Sequence, residues 1–320
     1  MQRSLKYFPV QLFAVIMGLS GLTIAFAKAW HFLKIDAFHP IYEALLVIDT
    51  ILFFVVFFTY IIKWIKYPEA VAKEFNHPIK SSFAAAISIS FLLISIAYYD
   101  YAPTVSIVFW YIGAPLHLFF TYKVMKFWIE HKFEVGQINP AWFIPIVGNV
   151  LIPVVGVDAQ PEMVNIFFYA IGIFFWLVLF TIVIYRMIFH HPIGQRLVPT
   201  FFILIAPPAV GFISYFRITF GLVDTDSLFL YFIALFIFVL LLTMIKSFIK
   251  LKFFISWWAY TFPMAAITIA TILMNSAYNN NLTYYGGLLL LIITALLVAH
   301  VTYKTYIAII NQKICIPEEE

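Results

Sequence analysis

The sequence predicts an all-α integral membrane protein of ten transmembrane helices arranged as five helical hairpins, with five kinked inner helices around a central axis and five outer helices. Three observations lead there. Only 11% of the 320 residues are charged, against about 25% in soluble domains. Apolar side chains make up 64% and the mean hydropathy is +0.99, more apolar surface than one core of this size could remove from water. The apolar residues also fall in continuous runs long enough for a hydrocarbon core about 30 Å thick, without the period-two alternation of a membrane barrel.

Ten such runs are bounded by charge or turn signals, at 9–28, 41–62, 81–99, 104–127, 140–157, 162–188, 198–217, 228–249, 254–277 and 284–309. Little chain lies between them, so residues 1–320 read as one transmembrane domain with short tails at about 1–8 and 310–320. When alternate loops are placed on opposite sides, the cations divide 16 to 3. Arg3, Lys6, Lys63, Lys66, Lys73, Lys80, Lys123, Lys126, Lys132, Arg186, Arg196, Lys246, Lys250, Lys252, Lys304 and Lys313 share one side, and only Lys28, Lys34 and Arg217 fall on the other. By the positive-inside rule the first side is cytoplasmic and holds both termini. The first run follows Arg3 and Lys6 and could be taken for a signal peptide, but it is longer than a signal's apolar region and reads as a span.

That first run opens with Pro9 and Phe13, and similar openings recur at Pro78 with Phe83, Pro140 with Phe143, and Pro199 with Phe201. The recurrence predicts a repeat of about 60 residues, each repeat a hairpin whose two helices differ in kind. Odd helices hold the small and helix-disrupting residues: Gly18 and Gly21, Ala84 to Ala86, Pro145 with Gly148 and Pro153, Pro207 with Pro208 and Gly211, and Pro263 with Ala265 and Ala266. Even helices hold bulky runs such as 51–58 and 288–293. Proline frees carbonyls that lipid cannot satisfy, which predicts the odd helices inside; small residues also permit ordinary close packing.

No ionisable side chain lies at mid-depth on the odd helices, since Lys28, Lys80 and Arg217 sit at span ends. Carriers of dicarboxylates and proton-coupled pumps usually place such a group there. A neutral, narrow path with basic residues at its cytoplasmic mouth suits passive permeation of small anions instead, ranked by width and dehydration cost. Aromatic barrier candidates are Phe13, Phe83, Phe143, Phe202 and Phe262, of which Phe262 stands beside Pro263, where the missing amide weakens the helix.

The same stretches resemble the tellurite-resistance and dicarboxylate transporter family, which includes bacterial TehA and the slow-type anion channels of plant guard cells. The likeness rests on Phe8-Pro9-Val10 with Met17-Gly18-Leu19, Phe75-Asn76-His77-Pro78, Asn139-Pro140-Ala141-Trp142-Phe143 with Gly148-Asn149, Leu204-Ile205-Ala206-Pro207-Pro208, and residues 257–263. It implies a homotrimer in a bacterial inner membrane, each subunit with its own pore inside the five kinked helices. It also implies that Phe262 is the pore gate. Ala14, Met17, Gly18, Ile87, Asn149, Pro207 and Pro263 join the phenylalanines as pore-lining candidates. Family members conduct chloride and nitrate, and the alternative is a secondary transporter or exporter of C4-dicarboxylate, sulfite or tellurite-related anions. The long cytoplasmic extensions of plant members have no counterpart in the sequence, so kinase control of the plant type is not expected.

Other chemistry is thin. Cys315 is the single cysteine, so no internal disulfide and no cysteine metal motif is expected. A formal charge of +4, distributed by membrane side, does not suggest nucleic acid. Neither cofactor, metal nor enzymatic activity is expected. Asp49, inside the second run, is read as a hydrogen bond or salt bridge to a neighbouring helix or subunit, with ion handling as the other possibility. His117 and His300 would make a haem-ligand pair only if they faced each other.

Overall fold

The computed structural model describes residues 4–317; Arg3 of the charge tally and the outermost tail residues, 1–3 and 318–320, lie outside them. Backbone in lipid must satisfy its own hydrogen bonds, and the described residues form helices and turns with no strand. In chain order the membrane helices are α1 (Val10–Leu33), α2 (Asp36–Lys66), α3 (Lys80–Tyr98), α4 (Pro103–Glu130), α5 (Pro140–Gly156), α6 (Glu162–Phe189), α7 (Val198–Ile218), α8 (Thr225–Thr243), α9 (Ile255–Tyr278) and α10 (Asn281–Ile310). All but α5 are long and apolar enough to cross a membrane by length and composition. α5 combines a four-residue 3-10 turn with thirteen α-helical residues. At about 2.0 and 1.5 Å per residue it reaches about 28 Å, close to the span of a hydrocarbon core.

The odd helices are inside. In the most apolar stretch of α1, α3, α7 and α9, 83, 94, 72 and 94% of residues are buried, against 28 to 39% in the even helices. Every residue of α5 is buried. α1 packs on α3, α3 on α5, α5 on α7, α7 on α9, and α9 returns to α1, closing a ring. Each even helix fills the outer groove between two ring members: α2 at α1 and α3, α4 at α3 and α5, α6 at α5 and α7, α8 at α7 and α9, α10 at α9 and α1.

Four ring helices begin as 3-10 helix and become α at a defined point, at Phe13, Ile144, Ala206 and Thr261. In three of them proline follows within two residues: Pro145, Pro207 and Pro263. Proline has no N–H for the preceding turn, so the tight helix cannot hand its bonds on in register and the chain changes pitch there. α3 makes the equivalent break without proline, where Ala85 separates Lys80–Ala84 from Ala86–Tyr98. The expected run at 228–249 is likewise two pieces, α8 and a short helix Ile245–Ile249 separated by Met244.

Several polar side chains of the ring face the outer helices. Ser20 donates to Asp49 Oδ2 at 2.6 Å, Ser88 pairs with His117 Nδ1 at 2.9 Å, and Thr268 with Thr294 at 2.9 Å. Ser95 and Ser106 exchange hydroxyl-to-carbonyl bonds, both 2.7 Å. From the outer side Trp110 Nε1 donates to Ile152 O, and Thr121 to Pro145 O, each at 2.8 Å. The carbonyl of Pro145 lies in the stretch that proline disturbs, and α4 supplies its donor.

At the lysine-rich face Ser4 N donates to Cys315 O at 3.0 Å, so the first and last described segments meet on one side, as an even number of crossings requires. Lys63, 1% exposed, donates to Glu74 Oε2 at 2.7 Å and to Phe8 O at 2.7 Å, while Tyr60 donates to the same carboxylate at 2.9 Å. This cluster ties α2, the short helix Pro68–Phe75 and the segment before α1. On the opposite face Asp224 caps α8 by accepting from Ser227 N at 3.0 Å. The Tyr215 hydroxyl, and then that backbone N–H, hold the Asp224 carboxyl below the usual carboxylate range.

Gly18 sets the α1–α9 approach: a Cβ there would lie 2.1 Å from Thr261 Oγ1 and 2.9 Å from Trp258 Cε3. Gly18→Val should therefore destabilise the protein by about 1–3 kcal/mol through overpacking, seen as a lower thermal midpoint in detergent than for a Gly136→Val control, whose site has open space. Glu74→Gln leaves the Lys63 ammonium buried without its counter-charge and should cost about 3–5 kcal/mol; the same melt would detect it, and an unchanged midpoint would show that Lys63 reaches solvent.

Candidate functional site

Two cavities lie in succession along the inside of the ring, and residues of all five ring helices form both walls. The one nearer the 3-10 segments has a volume of about 40 Å³. The other, toward the far ends of the ring helices, has about 80 Å³. α1 contributes Ala14 and Met17 to the first and Ile24, Lys28 and Phe32 to the second. α9 contributes Ala259, Phe262 and Pro263 to the first, then Phe262, Ala266, Ile269 and Leu273 to the second. Steps of three or four residues keep one face of each helix on the axis. α7 follows the same rule through Ile203, Ala206, Val210, Ile213 and Arg217, and α5 through Ile144, Val147, Leu151 and Val154.

Phe262 and Leu151 belong to both walls, so these two side chains stand between the chambers. Phe262 sits one residue past the change from 3-10 to α helix and one before Pro263. Gly21 on α1 accommodates it: a Cβ there would lie 3.4 Å from Phe262 Cδ2 and 2.8 Å from Ala265 Cβ.

Of the residues that sequence analysis placed on the lining, Ala14, Met17, Phe83, Phe143, Phe262 and Pro263 form the first wall. Six others stand off the axis. Phe13 and Ile87 line a separate groove with Phe57 and Tyr60, where Phe13 meets Tyr60 edge-on at 5.7 Å. Gly18 faces Thr261. The Asn149 amide donates to Thr121 Oγ1 at 2.9 Å and to Ile146 O at 3.0 Å, toward α4. Phe202 packs edge-on against Tyr260 and Phe248 at 4.9 and 5.2 Å. Pro207 is buried beside Ala206, which takes the wall position. Leu151, Ile203, Ala206 and Ile89 are among the wall residues that composition did not single out; the three-to-four spacing from Val147 and Val210 signals the first three, whereas Ile89, six residues after Phe83 and beyond the Ala85 break, has no such signal.

The two walls differ in charge. Among the described residues, no ionisable side chain lines the first cavity, whereas Lys28, Arg217 and Tyr99 line the second. Lys28 donates to Asp100 Oδ2 at 2.8 Å. Arg217 pairs with Asp158, donates from Nε to Val154 O at 2.9 Å, and reaches the Tyr99 hydroxyl at 3.0 Å. Both cations lie over the Tyr99 ring, at 5.5 and 4.8 Å from its centre. The sequence argument placed basic residues at the lysine-rich mouth; the cations that reach the chamber walls are these two at the other end.

Asp49 is fully buried against α1 through Ser20, an interhelical hydrogen bond rather than a group on either wall. His117 is buried between Ser88 of α3 and Gly148 of α5, where it fills the place of a missing Cβ, while exposed His300 stacks on Trp257 at 6.1 Å. They do not form a facing pair. Among the described residues no three His, Cys, Asp or Glu side chains gather as a metal site would require.

Comparison with known proteins bears directly on this ring. Residues 7–306 match the family described as SLAC1, voltage-dependent anion channel. The chain is 34% identical over 274 residues to the S-type anion channel SLAH2 of Arabidopsis thaliana, covering 83% of this chain and 52% of that protein. It is 28% identical over 305 residues to the uncharacterized transporter MJ0762 of Methanocaldococcus jannaschii, covering 86% of each. It is 25% identical over 267 residues to the tellurite resistance protein TehA homolog of Haemophilus influenzae, covering 81% of this chain and 79% of that one. The chain thus spans about half the length of the plant relative and most of the archaeal and Haemophilus proteins. A helical ring with paired axial cavities, and a match running from before α1 into α10, give one conclusion: this multi-pass membrane protein belongs to the SLAC1 family.

Proposed function

We propose that the chain is a passive channel for small monovalent anions such as chloride and nitrate, with Phe262 as a steric gate. The observation that carries this reading is the pair of axial cavities with Phe262 and Leu151 between them. A cavity of about 40 Å³ with apolar walls holds no donor set to capture an ion, so passage is controlled by width and by the loss of hydration. The two cations of the second chamber give the path the sign that suits an anion. Transport rather than catalysis fits such a wall. The working form is a homotrimer with one path per subunit, set in a bacterial inner membrane with both termini cytoplasmic, as the lysine asymmetry favours.

A second reading draws on relatives named as a transporter and as a tellurite resistance protein: a carrier or exporter of C4-dicarboxylate, sulfite or tellurite-related anions. A carrier shows saturation and counterflow because it must alternate between states, whereas a channel shows neither obligatory step.

Phe262→Ala should raise chloride or nitrate current in planar bilayers by about tenfold or more while elution and thermal midpoint stay close to the parent's, because the ring borders empty space on both sides. Phe262→Ala with Leu151→Ala should conduct more than either single variant. Currents no larger than the parent's in all three variants would remove Phe262 as the gate.

A further inference from the structure

The second axial cavity contains an arrangement that the bare first chamber lacks. Its walls are apolar except for Lys28, Arg217 and Tyr99, and the carboxylates that pair with the two cations, Asp100 and Asp158, are not part of the wall. Lys28 and Arg217 therefore bring positive charge to the chamber wall, and their counter-charges lie outside that wall, in the turns that follow α3 and α5. Apolar walls concentrate that field inside the cavity instead of letting water disperse it.

Both cations are held in place. Arg217 is fixed by the carbonyl of Val154, by Asp158 and by the Tyr99 hydroxyl. Lys28 is fixed by Asp100, and the aromatic face of Tyr99 lies within 5.5 Å of one cation and 4.8 Å of the other. Three ring helices and the two turns that follow α3 and α5 thus converge on one spot. The volume of about 80 Å³ admits one small anion with a few waters.

We propose that this outer chamber is a binding site for a single small inorganic anion, held by Lys28 and Arg217 with Tyr99 as a positioning residue. It rests on the channel reading only for its place in a permeation path; binding itself does not require conduction. Asp100 and Asp158 weaken the site by competing for the same donors, which suits an ion that must leave as readily as it enters. An ion entering from this end meets the charged chamber before Phe262 and Leu151.

Bromide is the probe. Crystals of the full chain soaked across a bromide series, with anomalous maps at the bromine edge, should show a peak in the outer chamber within contact of Lys28 Nζ and the Arg217 guanidinium. Lys28→Met should raise the bromide concentration for half occupancy about tenfold, the usual scale of one charge-assisted hydrogen bond. Asp100→Asn should lower it several-fold, and it keeps the test open if Lys28→Met fails to fold. No peak in the parent overturns the proposal. A peak of equal occupancy in Lys28→Met marks an adventitious ion and overturns it too. Currents through Phe262→Ala separate the two readings: a peak without current keeps this site and removes the channel, and current without a peak does the reverse.

Discussion

Outer helices engage hydroxyl and carbonyl groups of α1, α3, α5 and α9, and the rest of the architecture depends on that. Ser20, Ser88, Ser95 and Thr268 all turn away from the axis to partners on α2, α4 and α10. Trp110 and Thr121 reach inward to carbonyls of α5. A buried polar group without a partner costs more in lipid than in water, so this interlock fixes α1, α3, α5 and α9 in rotation. The face left for the axis is then almost entirely carbon, which is why the first chamber offers an ion no partner.

The pitch change in the ring helices adds a second constraint. A 3-10 segment turns about 120° per residue and an α segment about 100°, so side chains before and after the junction follow different phases. In α9 the change falls at Thr261, and Phe262 is therefore directed by the junction itself rather than by a long regular helix. Gly21 opposite it provides the room. One of the two side chains between the chambers is thus placed by a helix junction, with the α1–α9 contact at Gly18 holding the two helices close beside it.

Much of this was legible from the chain. Continuous apolar runs gave the helix count, and the distribution of proline and glycine gave the inner and outer rings, because both follow directly from what lipid tolerates. The exact lining was less legible, for a reason visible at particular residues. Phe202 stands out only as an aromatic beside Pro199; the three-to-four spacing carried back from Val210 runs through Ala206 to Ile203, which faces the axis instead. Ile87 is four residues after Phe83 and would share its face in an unbroken helix, but the Ala85 break passes that face to Ile89. Gly18, Asn149 and Pro207 each adjoin a wall residue and are turned from it by one helical step. Long-range pairing, such as Arg217 with Asp158 and Tyr99, has no signature in local pattern at all.

The full enclosure of α5 has a consequence for how the protein meets its bilayer. Since no residue of that helix is exposed at the outer surface, its short length need not match hydrocarbon thickness. Mismatch acts instead on the even helices, whose 19 to 31 residues can tilt or let their basic and aromatic ends snorkel. A thinner or thicker membrane meets this shell first, and the walls of the axial cavities lie behind it.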